Sequence, residues 1–129
     1  MKTILYFVFC IPFILVGACK KKPSAGLGGS ANLKVRAVHH NANIDSCTIY
    51  IKFNSSEAVD LSEYDVSQVL KADTNGNSYT VFEGLKSGNY YLFAQGWDPS
   101  ISQNVKGGIP YTIVDETDIS VVIPVTEVH

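Results

Sequence analysis

The amino-acid sequence predicts an all-β protein, a single seven-stranded sandwich behind a short leader and a flexible tether. Three observations carry this. From Asn32 onward no stretch of ten residues keeps a helical period. Short β-branched and aromatic runs recur instead between clusters of Gly, Asn, Asp and Ser, the pattern of strands and turns. The 129 residues, 46% hydrophobic and 17% charged, suffice for one domain and are too apolar for a disordered chain.

Residues 1–18 read as an address. Lys2 precedes an apolar run from Ile4 to Val16, followed by the small residues Gly17 and Ala18. That is the layout of a secretory signal peptide, too short to span a bilayer core of about 30 Å. Val16-Gly17-Ala18-Cys19 resembles the lipobox of bacterial lipoproteins. The resemblance implies that Cys19 is acylated and becomes the first mature residue. Two or more acyl chains would give lasting anchorage to a membrane.

Residues 19–30 then form the anchor and tether. Lys20, Lys21 and Lys22 suit anionic headgroups, and equally serve to solubilise the linker. Pro23 to Ser30 is small, Gly-rich and uncharged, the composition of a flexible segment. Residue 20 is Lys rather than Asp, and no acidic run follows Cys19. By resemblance to lipoprotein sorting signals, including those of Bacteroidota, this implies the periplasmic face of the outer membrane.

The domain is expected over residues 31–129. Its strands are predicted at Leu33–His40, Cys47–Phe53, Val66–Ala72, Ser78–Phe82, Asn89–Trp97, Val105–Val114 and Ile119–Val128. Asn75-Gly76 signals a hairpin. Pro110 and Pro124 argue for edge positions. Asp60 and Glu63 resemble a capping box, so one helical turn is expected around Leu61–Tyr64. Cys47 shares strand parity with Ile49, Ile51 and Phe53 and reads as a buried thiol; with Cys10 and Cys19 accounted for, no disulfide is available to the domain.

Charge excludes one function class. From Ala31 onward six basic side chains stand against 12 acidic ones, a net of −6, and no basic surface exists to neutralise phosphates. Nucleic acid is not an expected partner.

Phe82, Leu85, Gly88, Tyr90 and Leu92, preceded by Asp73 and Gly76, resemble the hallmark of carboxypeptidase-regulatory-like domains. These are small prealbumin-like (transthyretin-like) sandwiches. The spacing from Phe82 onward fits, while the Gly76–Phe82 segment is about two residues longer than in that family. The resemblance implies that Leu85, Tyr90 and Leu92 point into the core, that Gly88 takes a turn conformation, and that the first strand runs parallel to a late strand of its sheet. The fold class includes a hydroxyisourate hydrolase ending in Tyr-Arg-Gly-Ser. Here the corresponding residues are Thr126-Glu127-Val128-His129, so that activity does not carry over.

No nucleophile sits beside an activating partner, and an enzyme is not expected. Asp115, Glu116 and Asp118 read as a solvated turn, and Asp73–Asn77 as a hairpin turn rather than a calcium loop. Two features point to binding. If Tyr90 and Leu92 face inward, Tyr91, Phe93 and Trp97 face outward, beside Tyr50, as a surface for a glycan or a protein partner. The competing reading covers this stripe with the Asn54–Asp65 connection. The second feature is a candidate metal site. Were the first and last strands parallel neighbours, His39 or His40 would approach His129 with Glu127 nearby, a set suited to Zn or Cu. Only one of the adjacent histidines is expected to face that side, because successive strand residues point oppositely. The sequence thus predicts a non-catalytic, lipid-anchored accessory module of the cell envelope, with periplasmic metal binding as the alternative.

Overall fold

Alternation of apolar and polar residues through Leu27–His39 builds the first strand, β1, whose buried positions are Ala31, Leu33, Val35, Ala37 and His39. The computed structural model describes residues 24–129; the leader, Cys19 and Lys20–Lys22 lie outside the described residues. The described chain is all-β apart from one 3-10 turn at Leu61–Glu63. After β1 come β2 (Ala42–Asn43), β3 (Ser46–Phe53), β4 (Val66–Val69), β5 (Lys71–Ala72), β6 (Ser78–Leu85), β7 (Gly88–Asp98), β8 (Gln103–Ile113), β9 (Asp118–Pro124) and β10 (Thr126–Glu127).

Two sheets form. In the first, β1 lies between β6, which is antiparallel to it, and β9, which is parallel, with β2 and β5 at the margins. The second is antiparallel in the order β10-β8-β7-β3-β4. Both contribute to one core. Leu33, Val35, Phe82, Leu85 and Ile123 from the first sheet are buried in the same cluster as Ile49, Ile51, Tyr90, Leu92 and Val105 from the second. Each such side chain is worth about 1.5–3 kcal/mol of transfer free energy. Leu85, Tyr90 and Leu92 are fully buried, and Gly88 has φ +149°, as expected of those positions. A Cβ on Gly88 would overlap the backbone of Ala25, so only glycine fits. Among the described residues β9 pairs only with β1, and beyond Lys106 β8 pairs only with β7, which leaves Pro124 and Pro110 on edges.

Two expected strands prove to be pairs of strands. Val66–Ala72 divides at Leu70: β4 pairs with β3 in the second sheet, and β5 pairs with β6 in the first. Ile119–Val128 divides at Val125 in the same way, β9 joining β1 and β10 joining β8. Leu70 and Val125 are both buried. An apolar residue at a sheet-to-sheet step looks, in sequence, like the middle of one strand.

Structure also begins earlier than residue 31. Ala25 is buried, and Leu27–Ser30 are the first residues of β1. Glycine, read as flexibility, here permits close approach: a Cβ on Gly29 would overlap the Leu85 carbonyl. The acidic turn between β8 and β9 secures this segment. Glu116 Oε1 accepts from the Ser30 nitrogen (2.7 Å), its other oxygen accepts from the Ser87 hydroxyl (3.1 Å), and Asp118 accepts from the Asn32 amide (2.9 Å). In the Asp73–Asn77 turn Asp73 Oδ1 accepts from the nitrogens of Asn75 and Asn77, and Gly76 has φ +78°.

Candidate metal centre and outer aromatic face

Three strand ends meet at the edge of the molecule opposite the point where the chain enters. β1 stops at His39, and His40 and Asn41, with φ of 48° and 64°, form a two-residue turn into β2. Two left-handed residues are what a tight hairpin of the primed type requires, and His and Asn tolerate that region better than most. The second end arrives with β10. The Val125 nitrogen donates to the Val38 carbonyl (2.9 Å), locking the sheet-to-sheet corner beside β1 and setting Glu127 against both histidines. The third is Asp98, the last residue of β7.

Asp98 and His39 are buried together. His39 Nδ1 lies 2.7 Å from Asp98 Oδ2, while Asp98 Oδ1 accepts from the Ser100 nitrogen (2.9 Å) and hydroxyl (2.6 Å). The proton of the neutral ring is thereby assigned to Nδ1, and Nε2 carries the lone pair. That Nε2 atom is buried without a hydrogen bond, 3.3 Å from Glu127 Oε1. His40 Nε2 lies 3.4 Å from the same oxygen, and the two imidazole rings are 4.0 Å apart. Ligand atoms of His39, His40 and Glu127 all lie within 4.8 Å of one another.

The electrostatics follow from the contacts. The hydrogen bond to Asp98 raises the His39 pKa above its ordinary value, against the opposing effect of burial, and Glu127 adds to the rise. Asp98 is held below the usual carboxylate range by the Ser100 hydroxyl and then by His39. Glu127 is lowered by its own backbone N–H and by His40. The cluster therefore favours positive charge at its centre.

The sequence-derived set is corrected in two respects. Both adjacent histidines reach one carboxylate, because His40 stands in a left-handed turn and strand alternation no longer governs it. His129 is not part of the converging group. The approach of Glu127 to the histidines agrees with the expected parallel pairing of β1 with β9. Asp98 and Ser100 were not singled out from sequence. The only local signal is Asp-Pro-Ser after a strand, which specifies a turn; the partnership with His39 spans 59 positions and two sheets.

On the outer side of the second sheet Tyr91, Phe93 and Trp97 share one face of β7, with Tyr50 opposite Phe93 on β3. They do not form a continuous exposed stripe. Tyr64, brought over by the Asn54–Asp65 connection, stacks on Phe93 with centroids 5.7 Å apart and also meets Tyr50. Tyr91 lies across Gly108 of β8. Both Tyr91 and Phe93 are half-buried, and Trp97 is 41% exposed. Trp97 borders an open groove of about 570 Å³ lined also by Ser46, Thr48, Tyr50, Gln95 and Asn104.

Compared with known proteins, the chain matches no family model, no curated protein and no solved structure.

Proposed function

We propose that this protein is a lipid-anchored lipoprotein of the cell envelope whose folded part is a prealbumin-like β-sandwich acting as a non-catalytic binding or structural accessory module. The anchor rests on Val16-Gly17-Ala18-Cys19. The prealbumin-like reading is supported by a single core shared between two sheets, by β1 running parallel to β9, and by the burial of Leu85, Tyr90 and Leu92 around Gly88. The location that fits best is the periplasmic face of the outer membrane.

One observation carries the binding role: Trp97 stands exposed over a groove edged by side-chain amides and hydroxyls. An indole face stacks on the C–H face of a sugar ring, while Gln95, Asn104, Ser46 and Thr48 offer donors and acceptors to hydroxyls. An envelope glycan fits that chemistry; a protein partner using the same tryptophan is the second reading. Trp97 is nine residues beyond Gly88, which packs against Ala25, so the groove lies roughly 30 Å from where the chain enters the domain. An anchored module would thus present it away from the membrane.

Metabolic labelling with a clickable fatty acid tests the anchor. Wild type takes up label, Cys19→Ala does not and retains residues 1–18, and an unlabelled wild type refutes the lipoprotein reading. Trp97→Ala is expected to abolish retention on envelope polysaccharide with the melting temperature nearly unchanged. Retention equal to wild type refutes the groove.

A further inference from the structure

We infer that His39, His40 and Glu127 form a binding site for one divalent transition-metal ion, Zn²⁺ or Cu²⁺, with Asp98 orienting the His39 ring. The inference is independent of the lipid anchor and of the Trp97 groove.

The central observation is the buried, unpartnered Nε2 of His39 facing a carboxylate oxygen at 3.3 Å. With Nδ1–H committed to Asp98, Nε2 faces an acceptor, and either a proton on that nitrogen or a metal ion must stand between the two. The geometry favours an ion over a shared proton. A proton would lie close to the line joining nitrogen and oxygen, yet that pair does not meet hydrogen-bond geometry. An ion sits off the line, where a third ligand can also reach it. Bonds of about 2.0–2.2 Å around a tetrahedral centre separate ligand atoms by about 3.4 Å. The observed separations from Glu127 Oε1 are 3.3 Å to His39 and 3.4 Å to His40.

Each ligand has a distinct mechanical character. His39 is 3% exposed and fixed by Asp98, which is itself fixed by Ser100. A carboxylate holding the far nitrogen of a ligating imidazole, and thereby its tautomer, is the usual outer-shell arrangement of metal-bound histidine. Glu127 is held by the Val125 corner. The His40 side chain is 76% exposed and has room to adjust its position around an ion. Two imidazoles and one carboxylate suit Zn²⁺ or Cu²⁺ and are too few and too soft for Ca²⁺. The exposed His40 side leaves the fourth position to water or an external ligand.

Isothermal titration of the full-length protein, purified in detergent without a polyhistidine tag, with Zn²⁺ and with Cu²⁺ tests the site. One ion per chain is expected, with a Kd below about 10 μM for at least one metal. His40→Asn keeps the left-handed turn while removing the imidazole, and Glu127→Gln keeps the side-chain shape. Each should weaken binding at least about tenfold, and His129→Ala should leave it unchanged. In parallel, the ¹⁵N resonance of His39 Nε2 should shift on metal addition while its Nδ1–H persists. A wild-type Kd above about 100 μM, affinity indifferent to both His40→Asn and Glu127→Gln, or loss of binding in His129→Ala overturns the assignment.

Discussion

The phenol oxygen of Tyr90 lies 2.9 Å from the backbone nitrogen of Gly26, 64 positions earlier, and 2.7 Å from the carbonyl of Lys86. One side chain thus accepts from the incoming chain and donates to the turn before its own strand. Tyr90 is fully buried, and desolvation raises its pKa above the ordinary tyrosine value, so it stays a neutral donor. Tyr90→Phe keeps the ring in the core but leaves the Gly26 N–H without its acceptor. The expected loss is about 1–3 kcal/mol, read as a lower midpoint in urea unfolding. The amides of residues 26–30 should also exchange faster with deuterium than the rest of β1. Unchanged stability together with unchanged exchange would show that the phenol does not hold the entry segment.

Cys47 is 4% exposed on the inner face of β3, and burial pushes its thiol up to about 11. Only the thiolate alkylates at a useful rate, and at neutral pH almost none is present. Iodoacetamide should leave the peptide containing Cys47 unmodified in the native protein and modify it fully in guanidinium, as read by mass spectrometry. Rapid native labelling of that peptide would show that β3 opens.

Glu116 joins three segments, and its effect depends on pH in a defined direction. The Ser30 N–H first, and then the Ser87 hydroxyl, hold its carboxyl below the ordinary value of 4.5. A lowered folded-state pKa contributes stability that is present above the unfolded value and disappears as pH falls through the folded one. Glu116→Gln should therefore melt below wild type at neutral pH. The gap should narrow below about pH 4.5 and close in stronger acid. A constant gap across thermal melts from neutral pH down to strong acid would exclude the charged clasp as its cause.

The legibility of the chain follows the range of the forces involved. Alternation marked the buried faces of β1 and β3, because a strand's two-residue period is written directly in side-chain polarity; β7 is apolar on both faces, and its inner set of Tyr90 and Leu92 was expected from the family resemblance alone. Asn75-Gly76 announced its turn, and Cys47 its burial, from immediate neighbours. Leu70 and Val125 misled the strand reading because an apolar residue is equally suited to the middle of a strand and to a step between sheets. Gly29 misled it because composition cannot distinguish freedom from close packing.

For the candidate metal site the division is sharper. By itself the sequence determined that histidines stand at the end of the first strand and that an acid and a third histidine stand at the end of the last. Only the tertiary structure decided which of them meet. His40 joined His39 through a backbone conformation invisible to strand parity, His129 was left out, and Asp98 arrived from the other sheet. Local periodicity states which faces must be buried. Which buried faces touch depends on strand order and on where the chain changes sheets, and contacts between residues far apart in sequence settle both.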